Sequence, residues 1–356
     1  MAYFRWLLLP FSIVYGLGIW IRNRCYDWGW FKSTGFKKPV IVVGNLAVGG
    51  TGKSPMTEYL VKLLRDTYKV ATLSRGYGRK TRGFLTVSMD GTVEDFGDEP
   101  LQFKHKFPET TIAVDENRVR GVGRLFESGH EAVILDDAYQ HRALKPGIAI
   151  LLFDYRSLSQ PKWLLPAGDY RDSFRERHRA DVVIVTKTPF TATETEKRLI
   201  HRSLGLDSKI PVLFSSIRYA PWEPLIPNQR PKADLRDKKQ TILLVTGIAN
   251  PTPLYDHLKS HAREIIHLRY PDHYSFTLAT LRAITTRFDE IPDPSKVIVT
   301  TEKDAQRLLA PTLAESLAGL PIYRVPIQVQ FNEYDDGILQ QLVLGYCAAA
   351  SRVDFV

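Results

Sequence analysis

Cysteine is scarce in this chain of 356 residues: Cys25 and Cys347 are the only two, too few for a disulfide framework, which favours a reducing compartment. No Cys/His cluster has zinc spacing, so a zinc module is excluded. Long apolar runs are scarce too. The sixteen uncharged residues "WLLLPFSIVYGLGIWI" between Arg5 and Arg22 are interrupted by Pro10, Gly16 and Gly18. A spanning helix needs about 20 apolar residues, so this run falls short. The following "RNRCYDWGW" has no small-residue cleavage site, which excludes a signal peptide. Internal repeats and low-complexity tracts are absent. What remains, 44% apolar and 24% charged residues, is an ordinary globular composition, and the length predicts two domains.

Basic residues outnumber acidic ones, 48 to 39, for a net charge of +9, so an anionic partner is expected. Much of that charge is N-terminal. Residues 1–38 hold Arg5, Arg22, Arg24, Lys32, Lys37 and Lys38 against Asp27 alone. Two readings of this segment stay open: an anchor helix at a membrane interface, or a helix buried in the fold. Trp6, Tyr15, Trp20, Trp28 and Trp30 suit the headgroup level, and the basic flank suits anionic lipid. Both features favour the anchor.

The stretch "VIVVGNLAVGGTGKSP", from Val40, carries the chemistry. Its β-branched start reads as a buried parallel strand, and "KSPMTEYLVKLLRD" places Met56, Leu60, Leu63 and Leu64 at helical spacing. Strand, glycine turn and helix in that order are the context of a P-loop. Residues Ala47, Val48, Gly49, Gly50, Thr51, Gly52, Lys53 and Ser54 would then cradle phosphates, with Lys53 on the β/γ oxygens and Ser54 on magnesium. Ala47 departs from the pattern, which wants glycine there.

Further polar groups fall where such a site needs them. "EAVILDDAYQH" ends a short strand on Asp136 and Asp137, a position that lies in the ligand crevice of a parallel sheet. "ATLSRGYGRK" offers Arg75, Tyr77 and Arg79; "DFGDEPLQFKHKF" puts Asp98 and Glu99 at a helix start; "VDENRVRGVGRLF" offers Asp115 as a helix cap, then Arg118 and Arg120. Together they supply a base candidate, a metal carboxylate and an arginine clamp for phosphoryl transfer to a hydroxyl. A guanine-reading N-K-x-D is missing, the nearest stretches being "TKTP" at 186 and "TEKD" at 301. ATPases with a deviant P-loop carry a lysine where this chain has Val48. ATP and phosphoryl transfer are therefore favoured over a nucleotide switch.

The stretches "VGNLAVGGTGKSP", "LSRGYGRK", "GDEP", "LDDAYQHR", "LLPAG", "VTGIANP", "PDHYSF" and "TEKDAQRL" resemble, in order, the signatures of the tetraacyldisaccharide 4′-kinases, the lipid A 4′-kinases of Gram-negative bacteria. The resemblance implies transfer of the ATP γ-phosphate to the 4′-hydroxyl of a tetraacylated glucosamine disaccharide 1-phosphate, giving lipid IVA. It places the protein at the cytoplasmic face of the inner membrane, peripheral or N-terminally anchored, and implies neither a nucleic-acid nor a protein partner. By the same resemblance Asp98 is the base and His273 its partner, and Lys53 and Arg118 complete the catalytic set. Ser54, Glu99 and Asp136 serve Mg²⁺, while Asn45, Arg75, Tyr77, Asp137, Gln140 and His141 lie near the sugar or phosphates. Tyr274 stands where the family usually has a second histidine, so that role rests on His273 alone. "GDYRDS" has Asp172 where a glutamate is expected, and Asp172 is left out of the site.

The expected fold is α/β: a P-loop NTPase-like parallel-sheet domain and a smaller α/β domain joined by a short β hinge, with an N-terminal membrane-associating helix. The expected boundaries are 1–35 for that helix, 36–220 for the kinase domain, 221–332 for a linker and the smaller domain, and 333–356 for a C-terminal helix. Strands read at 40–44, 70–74, 132–136, 148–153, 182–186 and 211–214, then a second alternation begins at 241–247. "RYAPWEPLIPNQRPKADLRDKK" reads as the linker, and "YRVPIQVQF" as a strand pairing with part of it.

Overall fold

The computed structural model describes residues 2–226, 240–310, 313, 315–317 and 319–352. Most of the expected linker, 227–239, lies outside the described residues. The chain forms two compact units, Met1–Ile217 with Val329–Val356, and Arg218–Gln328.

Unit one is built on nine strands: β1 (Val40–Asn45), β2 (Val70–Ser74), β3 (Leu85–Thr86), β4 (Thr111–Val114), β5 (Ala132–Asp136), β6 (Ile148–Asp154), β7 (Val182–Thr186), β8 (Val212–Tyr219) and, from the end of the chain, β14 (Ile327–Phe331). Their order is β14-β8-β7-β6-β1-β5-β2-β4-β3. The pairs from β8 through β1 to β4 are parallel, and the two-residue β3 is antiparallel to its neighbour β4. β1 is buried along its whole length, as the β-branched run requires when helices cover both faces. Alternate residues serve opposite cores. Ile41 and Val43 join Met56, Leu60 and Leu64 of α2 (Lys53–Leu64), while Val40 and Val42 join Val122 and Leu125 of α5 (Arg118–Glu127). The short strands β3 and β4 were not anticipated, since neither is long enough to show a period. Leu339, Val343 and Cys347 of the C-terminal helix, Glu333–Arg352, complete the first of these cores.

Unit two carries β9 (Glu223–Pro224), β10 (Thr241–Thr246), β11 (Glu264–Arg269), β12 (Lys296–Thr301) and β13 (Ile322–Val325) in the order β11-β10-β12-β13-β9. Tyr323 and Arg324 pair antiparallel with Pro224 and Glu223, so part of the linker stretch does join the "YRV" strand. The continuation, β14, instead lies beside β8 in the first sheet, and the chain crosses between units inside these two hydrogen-bonded strands.

The N-terminal helix α1 (Leu9–Asp27) corrects the buried-helix reading. Ile13 and Val14 are 72% and 71% exposed, and Phe11, Leu17, Trp20 and Ile21 are also exposed. Its buried residues are Ser12, Asn23 and Cys25. Ser12 Oγ donates to the Leu164 carbonyl at 2.9 Å and accepts from the Ala167 amide at 2.9 Å; Asn23 Nδ2 donates to Asp172 Oδ1 at 3.0 Å. The helix is held to unit one by a narrow polar side. No helix among the described residues is long and apolar enough to cross a membrane.

Candidate active site

The site forms where β1 ends beside β5 and β6. Register puts Val43 opposite Asp136, so the strand-end carboxylate is carried to the rim of the glycine turn. Gly52 takes φ +83° and opens α2 without any side-chain cap, which leaves the amides at the helix N-terminus facing the turn. Ala47 does not need to be glycine: it forms a short antiparallel bridge with Tyr170, and it is not among the described residues of positive φ. Thr186 Oγ1, at the end of β7, donates to the Thr51 carbonyl at 2.8 Å, and Lys187 Nζ donates to the Gly50 carbonyl. Both belong to the "TKTP" stretch. Beyond them is a cavity of about 210 Å³ lined by Thr188, Phe190, Phe214, Ser216, Gln330 and Asn332.

Asn45 is a hub. Its Nδ2 donates to Thr51 Oγ1 at 2.7 Å, its carbonyl accepts from Gln140 Nε2 at 2.7 Å, and its Oδ1 accepts from Lys53 Nζ at 3.4 Å. Lys53 Nζ also lies 3.8 Å from Asp137 Oδ1. Arg171 binds Asp137 with both terminal nitrogens, Nη1 at 2.9 Å from Oδ2, and reaches Asn45 Oδ1 as well. Burial would raise the Asp137 carboxyl, but the Arg171 hydrogen bonds and the charges of Lys53, Arg171 and Arg118 hold it below its ordinary value. Asp136, its neighbour, is pushed the other way, by burial first and then by the charges of Glu99 and Asp137. Adjacent carboxylates with opposite shifts are a mark of a functional site.

Ser54 Oγ donates to Glu99 Oε1 at 3.2 Å, and Thr57 Oγ1 donates to Asp136 Oδ1 at 3.3 Å. No group of three or more His, Cys, Asp or Glu side chains among the described residues is arranged to hold a metal by itself. A hydroxyl beside two mutually repelling carboxylates instead fits magnesium, which takes one or two carboxylates plus substrate phosphates. Asp98 is the first residue of α4 (Asp98–Lys106). The N-cap is Gly97, with no side-chain cap, so Asp98 and Glu99 stand in the first turn of α4, as the sequence places them.

Arg118 is buried, and its guanidinium is lowered to about 10 by burial and by the charge of Arg75. His141 is lowered to about 4 by burial and by Arg118, Arg22 and Arg75. Arg118 Nε and His141 Nε2 are both buried without a hydrogen-bond partner among the described residues. Cations crowded together with unsatisfied buried nitrogens fit an anionic ligand. Three expectations change. Asn117, not Asp115, caps α5, accepting from the Arg120 amide at 3.1 Å, because Asp115 is engaged by Arg120 Nε at 2.9 Å. Arg79 is held by Glu116 at 2.7 Å. Tyr77 is 84% exposed and is not gathered into the cluster. His273 belongs to unit two. Arg171, Thr57, Thr186 and Lys187 were missed; "GDYRDS" and "TKTP" were in view, but no local spacing tells that Arg171 reaches 34 positions back to Asp137.

Residues 4–345 match the sequence profile of the tetraacyldisaccharide-1-P 4′-kinases. The chain belongs to this family. Relatives named tetraacyldisaccharide 4′-kinase are 42% identical in Bacteroides thetaiotaomicron and 41% in Flavobacterium johnsoniae; they cover 98% and 96% of this chain, which spans 94% and 98% of theirs. LpxK from Aquifex aeolicus, crystallised in complex with ATP, is 28% identical, with a TM-score of 0.75 over 96% of this chain and 99% of its own. The resemblance seen in the motifs, the P-loop α/β fold and an ATP-dependent lipid A 4′-kinase activity are thereby borne out.

Proposed function

We propose that the chain moves the γ-phosphate of ATP to the 4′-hydroxyl of tetraacyldisaccharide 1-phosphate at a membrane surface, and that the residues around Lys53 perform the transfer. The observation that carries this is Lys53 itself, poised over an uncapped helix N-terminus between Asn45 and Asp137. The amides at the start of α2 and the Lys53 ammonium bind the phosphates and meet the charge that grows on the transferring group. Ser54, Glu99 and Asp136 would hold magnesium, which when bound supplies further positive charge to the phosphate oxygens. A sugar hydroxyl is a weak nucleophile near neutral pH, and Asp98 accepts its proton as attack proceeds. His273 acts with Asp98 as one base unit. Arg75, Arg118, His141, Gln140 and Asn45 hold the disaccharide and its phosphate, and the cavity beyond Thr188 takes the adenine base.

The outer face of α1 and its basic flank support attachment to the cytoplasmic leaflet of the inner membrane as a peripheral protein, where a water-insoluble anionic lipid is found. The rival is a membrane-bound ATPase that uses hydrolysis as a switch. Purified protein, ATP, Mg²⁺ and tetraacyldisaccharide 1-phosphate, followed by mass spectrometry of the lipid, separates the two. A lipid heavier by one phosphate, with ATP turnover that needs the lipid, is expected; rapid turnover without an acceptor overturns the reading. For the base unit, Asp98→Ala/His273→Ala is expected to be little slower than Asp98→Ala alone, since residues acting as a unit are non-additive. Multiplicative losses would make His273 a separate contact.

A further inference from the structure

Three signature stretches of unit two, "VTGIANP", "PDHYSF" and "TEKDAQRL", converge on one side chain. His273 has φ +58°, a left-handed conformation that a non-glycine residue keeps only when its surroundings enforce it. Its amide donates to the Gly247 carbonyl at 3.1 Å and to Asp272 Oδ1 at 3.1 Å. Gly247 is closely packed: a Cβ would stand 3.1 Å from Asp304 Oδ1 and 3.2 Å from Tyr274 Cβ, so those neighbours would have to give way. Asp304, fully buried, accepts from the Gly247 amide at 2.9 Å and from Thr301 Oγ1 at 2.8 Å. That fixed carboxylate orients Arg307. Arg307 Nη1 donates to Asp304 Oδ1 at 3.0 Å and to the Gly247 carbonyl at 3.1 Å, and Nη2 lies 3.0 Å from His273 Nδ1.

A guanidinium only donates, so Nδ1 of His273 must accept, and an accepting Nδ1 leaves the ring's one proton on Nε2. The ring is 57% exposed, and the Asp272 carboxylate is 4.0 Å from Nε2, outside hydrogen-bond reach. We infer that Arg307, fixed by Asp304, is a positioning residue that holds His273 as the neutral Nε2–H tautomer, so that His273 gives a hydrogen bond through Nε2 and takes no proton in the reaction. The catalytic half of this inference rests on the proposed role of His273. Within that reading the substrate proton goes to Asp98 alone, and His273 steadies a carboxylate by donation. Lysine would be a poor substitute for Arg307, because one ammonium cannot serve His273 and the Asp304–Gly247 pair with the planar fork that both contacts use.

The test uses the full chain labelled with ¹⁵N in its histidine rings, with the His273 signals assigned by their loss in His273→Ala. A neutral Nε2–H pattern is expected in the wild type. Arg307→Gln is expected to convert it to a tautomer mixture and to lower kcat by about tenfold or more, with the KM for ATP changed by less than about twofold. Arg307→Lys, which keeps the charge beside Asp304, should fall between the two. His273→Ala/Arg307→Gln should be no slower than His273→Ala. An Nδ1–H pattern in the wild type, or an unchanged ring pattern in both Arg307 variants, overturns the positioning role. Fully multiplicative losses in the double variant also overturn it. If His273→Ala turns over at nearly the wild-type rate, the catalytic reading of His273 falls, while the ring signals still decide whether Arg307 sets the tautomer.

Discussion

Around Lys53, charged and polar side chains are buried: Asn45, Asp136 and Arg118 are each at most 5% exposed. Along α1 the reverse holds, with Phe11, Ile13, Val14 and Leu17 in the open and Ser12 and Asn23 inside. Both regions depart from the usual placement of apolar groups inside and charged groups outside. The first region gathers cations, carboxylates and uncapped amides, a set that suits a phosphate-bearing ligand. The second presents an apolar face that unit one does not cover, next to a cluster of basic residues. The C-terminal helix is the control, for its Leu339, Val343 and Cys347 are fully buried. Apolar content does not decide which helix packs inward; the spacing of the apolar positions relative to a waiting core does.

The widest effect is expected at the first region. Lys53→Ala should lower kcat/KM by on the order of 10²-fold or more, with little change in thermal stability, because it removes a charge that meets the developing phosphoryl charge. Steady-state assay and a melting curve check it together, and activity within about tenfold of wild type would take Lys53 out of the mechanism. Next comes the packed helix: Leu339→Ala should cost about 2–5 kcal/mol in urea unfolding, since its methyl groups leave a cavity in a closed core. Deleting residues 1–21 should then abolish most association with anionic vesicles and raise the apparent KM for lipid in mixed micelles, leaving ATP affinity nearly unchanged. An unfolded truncation would mean that α1 is part of the core after all.

A subtler effect separates the cationic cluster from an ordinary surface. The His141 ring is held at about 4, below the usual value for histidine. As pH falls below the unfolded value of about 6.5, the unfolded chain takes a proton that the folded chain refuses. Stability should therefore decline from about pH 6.5 toward pH 4, and His141→Gln should flatten that part of the curve in unfolding measured at intervals of pH. The smallest effect belongs to the outer face: Leu17→Ala should shift unfolding free energy by less than about 0.5 kcal/mol. A cost like that of Leu339→Ala would show that Leu17 is covered in the folded protein.

Residues close in the chain revealed much of this protein by themselves. Strand, glycine turn and helix over 40–64 could be read because each has a local period or a local backbone demand, and Asp136 could be placed because it ends a short apolar run. The ordered signature stretches were legible in the same way, as strings. What they do together was not. Arg171 meets Asp137 and Asn45, Thr186 supports Thr51, and Arg307 turns His273 only after the sheets are assembled. Sheet order brings β5 and β6 against β1 although both come much later in the chain, and no pattern within one segment encodes that adjacency. The short β4 and the two-residue β3 likewise exist only as partners on an edge. The direction in which α1 faces was also decided late: its apolar residues were visible in the sequence, but that its polar side docks on 164–172 depends on carbonyls and a carboxylate supplied by a distant loop. A side chain's type and local period are properties of the chain; the group it meets is a property of the assembled fold.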